Sequence, residues 1–272
     1  MGGCGVLRSR VILVRLVYRI RVGCSVVLKD YSGCVVGGLF RRMFVGGDSF
    51  RHVVQVSPLF RGDGRFLLSS PAVLDPSVYG FSASAYFAGL DEMVSLVDQT
   101  HVELEGVRCR VEHVEFRPVS VDMLMGSWCP EFFYLNYRTP TVVGVGRSML
   151  RGGRVYGLFP LPVYVFGGLA SLWNRIVGEE SLRIDIKRYL EWVRRNMFVV
   201  PPCKLSSYTV GLDDGRQVSG FVGVVGYGSA YPGSREHRVT VMLARLSEFA
   251  GVGLGRRLGF GVTFFREGVV VG

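Results

Sequence analysis

VRLVYRIRVGCSVVLKDYSGCVVGGLFRRMF, residues 14–44, changes its period partway along. From Val14 to Val22 the pattern alternates. Val14, Leu16, Tyr18, Ile20 and Val22 fall on one face, and Arg15, Val17, Arg19 and Arg21 on the other. That is a strand with one packed side and one basic side. After Lys29 the apolar residues Val35, Val36, Leu39, Phe40 and Met43 recur at helical spacing, and Asp30 or Ser32 stands where an N-cap is needed. The stretch therefore reads as strand, then helix.

The following residues complete a unit. VVQVSPLF (53–60) is a second strand, stopped by Pro58, and RGDGR (61–65) is a turn. YGFSASAYFAG (79–89) alternates again, LDEMVSLVDQ (90–99) is a short amphipathic helix, and VELEGVRCRVEHVEFRPV (102–119) is a strand or hairpin. The order β-α-β-β-α-β is that of a ferredoxin-like module. After a connector, DMLMGSWCP (122–130), the pattern starts over. EFFYLNYRTPTVV is a strand, RSMLRGGRVYGLF a hairpin, and PVYVFGGLASLWNRIV a helix with Pro162 near its start. RIDIKRYLEWVRRNMF adds a second helix. KLSSYTVGL and RQVSGFVGVVGYGSA make an antiparallel pair, VTVMLARLSEFAG is a helix ended by Gly251, and LGFGVTFFREGVVV is the last strand. The expectation is an α+β protein of two tandem ferredoxin-like modules, residues 1–120 and 124–272. No residue-level repeat joins the halves, so the duplication rests on pattern alone.

Composition narrows the function. The 272 residues are 49% hydrophobic and carry a net charge of +10, which favours an anionic partner such as nucleic acid. Arginine carries nearly all of the positive charge, because the only lysines are Lys29, Lys187 and Lys204. The six cysteines include no C-x-x-C pair and no histidine at metal spacing, so neither a zinc site nor any other metal or cofactor is expected. The N-terminal apolar run is broken by Arg15, Arg19 and Arg21, and the longest uncharged stretch contains Pro160 and Pro162. A cytoplasmic protein without membrane spans is expected.

The most distinctive segment is GVGLGRRLGFG, residues 251–261. A dinucleotide fingerprint needs a strand before it and a long helix after it. Here the order is helix, loop, last strand. A plain corner explains Gly251 and Gly253 but not Gly255, Gly259 and Gly261 around Arg256 and Arg257. Glycines allow close backbone approach and leave N–H groups for phosphate oxygens, and two arginines add charge-assisted bonds. The loop reads as a site for an RNA or DNA backbone.

A helix, this glycine pattern and a final strand resemble the C-terminal signature of the RAMP superfamily of CRISPR proteins. Other segments resemble the CRISPR repeat-processing endoribonucleases, the Cas-six type, in order along the chain: LKDYSGCVVGGLFRRMF, VQVSPLF, YLNYRTPTVV, LFPLPVYVFGGLASLWN and GFVGVVGY. The resemblance implies a metal-independent endoribonuclease that cuts repeat RNA to mature guide RNAs. The 2′-hydroxyl attacks the adjacent phosphate, leaving a 2′,3′-cyclic phosphate and a 5′-hydroxyl. It implies precursor crRNA as the partner, with interference-complex subunits and a second copy of the chain as further ones. Two alternatives stay open: a member that binds repeat RNA without cutting, and an RNA-holding RAMP subunit of an effector complex.

Such chemistry needs a base, an acid and cations for the phosphorane charge. His52 is the first candidate base, since it follows the first helix, where relatives place a histidine, and imidazole titrates near neutrality. Its nearness to VQVSPLF, where some relatives carry a lysine, suits a cationic role beside Arg51 equally well. Lys29 and Tyr31, at the start of the first helix, are further catalytic candidates. Gly253, Gly255, Arg256, Arg257, Gly259 and Gly261 are the expected RNA-binding loop residues. His237, between Arg235 and Arg238, belongs to a basic hairpin or a charged loop, and His101 and His113 read as structural.

Overall fold

The computed structural model describes residues 11–43, 52–86, 99–147, 154–157 and 159–268. The first half contains β1 (Val11–Val22), β2 (Val26–Leu28), α1 (Ser32–Met43), β3 (Val53–Val56), β4 (Phe60–Arg61), β5 (Ala72–Leu74), β6 (Ser77–Tyr86), β7 (His101–Leu104) and β8 (Val107–Ser120). The short helix α2 (Val121–Met125) leads into β9 (Phe132–Thr141), β10 (Val143–Arg147), β11 (Arg154–Gly157), α3 (Pro162–Ile176), α4 (Ile186–Asn196), β12 (Met197–Gly211), β13 (Gln217–Ser229), α5 (Arg235–Ala250) and β14 (Thr263–Glu267). The helix expected at 90–99 falls almost wholly outside the described residues.

Both sheets have the strand order of a ferredoxin-like fold. The first runs β3-β6-β1-β8-β7 and the second β12-β13-β9-β14, and their strand pairs are antiparallel. In each, the first strand of the unit lies in the middle, between the third and the fourth. The two-module fold read from the sequence is therefore observed, with α4 as the added helix and β10–β11 as the added hairpin. A short β2–β5 ribbon lies beside the first sheet.

The alternation of β1 does what its sequence requires. Leu16, Tyr18, Ile20 and Val22 are buried and Arg19 and Arg21 exposed. Tyr18 stacks on Phe81 with ring centroids 5.0 Å apart, and Phe40 of α1 meets both edge-on. Such aromatic pairs add roughly 0.5–1.5 kcal/mol beyond the area they bury. The core of the second module, built on Phe133, Phe166, Trp173 and Tyr227, continues into Ile12, Leu13, Val54 and Val119 of the first. A separate small cluster, Tyr31, Val210 and Phe260, straddles the two modules.

His237 lies in neither a hairpin nor a loop. It is buried in the first turn of α5, where Ser234 caps the helix by accepting its backbone N–H. The Gly233 amide donates to its Nδ1 at 3.0 Å, so the proton sits on Nε2. Burial lowers its pKa. His101 and His113 are exposed on β7 and β8. None of the described helices is long and apolar enough to cross a membrane.

Candidate nucleic-acid interface

The glycine-rich loop leaves α5 at Gly251, whose amide bonds the Ser247 carbonyl at 2.8 Å. Its base is closed by backbone bonds. Val252 donates to Gly261, Leu254 to Val142 and Gly261 to Pro140, at 2.8–3.0 Å. At the apex, Arg256–Leu258 make one 3-10 turn between Gly255 and Gly259, both left-handed (φ 70° and 81°). The left-handed region is open to glycine at no steric cost, which is why the turn is bracketed by that residue.

The apex rests on the first module. Gly33 and Gly37 lie one turn apart on α1 and face it. A Cβ at Gly37 would stand 2.5 Å from the Arg257 carbonyl, and one at Gly259 would stand 2.7 Å from Gly33 Cα. Helix and loop thus meet backbone to backbone. Tyr31 completes the contact. Its ring stacks on Phe260 at 5.1 Å, and its hydroxyl donates to the Gly259 carbonyl at 3.2 Å. The phenol is fully buried, and burial pushes its pKa well above the usual tyrosine value. Its own amide bonds Asp30 Oδ1 at 2.6 Å, whereas the Ser32 hydroxyl turns to the Leu67 carbonyl.

Arg257 ties the apex to β3 by donating from Nε to the Val53 carbonyl at 2.7 Å. The neighbouring His52 is half-buried and packs edge-on against Tyr86, with centroids 4.9 Å apart. Arg256 is also half-buried, and its Nη1 reaches the Ala250 carbonyl at 3.4 Å. Burial, then the charges of Arg175 and Arg257, lowers its pKa to about 10. Burial and Arg175 push Arg257 down as well. The cluster therefore disfavours its own positive charge and gains from an anion set against it.

The structure brings Arg257 to the residue that follows His52, sets Arg256 against Ala250, and places Tyr31 under Gly259. Lys29 is exposed at the end of β2, where its carbonyl accepts the Ser70 hydroxyl at 3.3 Å. Arg51 lies outside the described residues. Gly253 and Gly261 shape the loop base, since a Cβ on either would run into the carbonyls of Val142 and Val252. Tyr86 and Arg175 join the site without having been singled out in the sequence. Tyr86 reads there as one strand position among many, and Arg175 as an ordinary charge in the last turn of α3. Among the described residues no group of three or more His, Cys, Asp or Glu side chains is placed to hold a metal.

Two ferredoxin-like modules in tandem and a glycine-rich loop with arginines at its apex are the features on which the sequence resembles the RAMP superfamily. The family model described as CRISPR-associated endoribonuclease Cas6 matches residues 135–263, which bears out the resemblance read from the sequence. Among solved structures, a Cas6 product complex superposes with a TM-score of 0.74 at 16% identity, covering 93% of this chain and 99% of that one. Thermus thermophilus Cas6 does so with a TM-score of 0.63 at 14% identity, covering 94% and 99%. A structure titled as a RAMP protein binding different RNA substrates reaches 0.59 at 12% identity, covering 93% and 100%. Among curated proteins, no sequence relative matches the chain.

Proposed function

We propose that this protein is a metal-independent endoribonuclease that cuts CRISPR repeat RNA by 2′-hydroxyl attack, leaving a 2′,3′-cyclic phosphate and a 5′-hydroxyl. The observation that carries this reading is the apex of the loop, where Arg256 and Arg257 both feel the charge of Arg175 and Arg257 bonds the carbonyl of the residue after the half-buried His52. Preorganised guanidinium groups suit the charge that develops on a phosphorane. His52 is the proposed general base, with Arg257 held one residue away through the Val53 carbonyl. Lys29, exposed before α1, is a proposed phosphate contact further along the strand, and Arg51 is kept in the same role. For Tyr31 the buried hydroxyl favours positioning of the loop over proton transfer. The glycines at 253, 255, 259 and 261 serve RNA binding by setting the loop's path, since the Cβ each lacks would strike protein atoms.

A second reading is a member of the same family that binds repeat RNA without cutting it. The burial of Tyr31 favours it, because it leaves fewer groups near the loop able to move a proton. One experiment separates the two. The purified protein is mixed with the host repeat RNA in EDTA, and the 3′ end of any product is tested for a cyclic phosphate. The nuclease reading expects one cut with that end, abolished by a 2′-deoxy substitution at the cut site. His52→Ala should lower cleavage on the order of 100-fold or more while leaving binding within a few-fold. Tight binding with no cut by the unmodified protein sinks the nuclease reading and leaves the binding one.

A further inference from the structure

Beside the loop lies a cleft that the backbone-binding reading does not use. Its volume is about 410 Å³, and its walls come from the β9–β10 junction, α3, α4 and the loop itself. We propose that this cleft is a nucleobase pocket, which takes one unstacked base of the RNA strand whose backbone the loop arginines hold. The inference rests on the RNA-binding reading above and adds to it the recognition of a single base.

The lining suits a base better than a phosphate alone. Tyr164 and Leu190 supply aromatic and apolar surface, and Arg256 is the one charged side chain on the wall. A phosphate has no use for apolar walls. A base needs them for its faces and needs polar donors for its edge. The Arg256 guanidinium gives one donor to the Ala250 carbonyl at 3.4 Å, and its fork has other N–H groups to offer.

The glycines of the wall point the same way. Gly167 and Gly168 sit inside α3, where glycine is a poor helix former. Gly167 has a packing reason, since a Cβ there would stand 3.1 Å from Leu190. Gly168 has none within the protein. A Cβ on it, like one on Gly144, would meet nothing within 4 Å. Both glycines therefore border open space on the cleft, and side chains there would fill it.

The test couples the pocket to one position of the RNA. Abasic sites are placed one at a time across the nucleotides flanking the cut, and affinity is measured for the unmodified protein and for Gly168→Leu. In the unmodified protein one abasic position should weaken binding on the order of ten- to a hundred-fold. Gly168→Leu should weaken intact RNA by a similar factor and should lose sensitivity at that one position, because the base has no pocket to leave. Gly144→Val serves as an independent filling variant from the strand side, and melting curves check that both remain folded. If both variants bind intact RNA like the unmodified protein, or keep the same abasic profile, the pocket assignment is overturned. If the unmodified protein fails to bind repeat RNA at low salt, the RNA reading falls first, which is a different and recognisable outcome.

Discussion

Replacing Gly37 by alanine tests whether the glycine-rich loop owes its position to α1. The added Cβ would stand 2.5 Å from the Arg257 carbonyl, against about 3.4 Å for ordinary contact. Helix and loop must therefore separate by about 0.9 Å, and overpacking of this kind costs roughly 1–3 kcal/mol. Alanine in a helix interior returns about 0.8–1.0 kcal/mol relative to glycine, so the net loss of stability should be about 0–2 kcal/mol. The functional loss should be larger. On the proposed reading the loop arginines face the reacting phosphate, and a misplacement near 1 Å there costs on the order of 100-fold in rate. Gly38→Ala is the matched control, because the same helix gains the same propensity there while the new Cβ meets nothing within 4 Å. Single-turnover cleavage and urea denaturation are measured on both. The expected result is a stabilised, fully active Gly38→Ala and a Gly37→Ala that cuts far more slowly at little cost in stability. A Gly37→Ala protein that cuts like the unmodified one would refute the idea that the helix sets the loop.

Three other outcomes are expected. Arg256→Gln removes a half-buried cation pressed by Arg175 and Arg257, so its melting temperature should hold or rise while RNA affinity falls and the salt dependence of binding flattens by about one unit, read from titrations at several salt concentrations. Tyr31→Phe keeps the stack on Phe260 but leaves the buried Gly259 carbonyl without its hydroxyl donor, which should cost about 1–3 kcal/mol in urea denaturation. His237 is depressed in the folded state below its ordinary value of 6.5, so its neutral form is favoured by folding. The stability it contributes is present above pH 6.5 and is lost as pH falls through the lower folded value. His237→Gln should therefore flatten the fall in stability below that pH relative to the unmodified protein.

The fold was legible where side chains alternate or recur over several turns. Tyr18, Leu16 and Ile20 could face only one way in β1, and the same logic placed β9, α3 and α5. The β2–β5 ribbon was not legible, because three-residue strands are too short for alternation to carry information. The loop glycines announced a special backbone, since their spacing suits neither helix nor strand. Tyr31 shows the limit. A tyrosine before a helix is as easily solvent-facing as buried, and only the arrival of Phe260 from more than two hundred residues away decides the matter. Arg175 gave no signal at all, because a basic residue in the last turn of a helix is expected for the macrodipole alone.

The site is composite, and on the proposed reading that bears on how RNA would meet it. The base of the loop is tied to the second module through Pro140 at the end of β9 and Val142 just after it, but its apex is fixed by Tyr31, Gly33, Gly37 and Val53 of the first. A glycine-rich loop held at one end only would lose much conformational freedom on binding. Docked on α1, it is ordered when the two modules pack, so the binding energy of the RNA is not spent on that ordering. The same packing brings Arg257 to β3, directly after His52. Loosening the contact between modules should therefore weaken binding and cleavage together, even where every side chain of the loop is left in place.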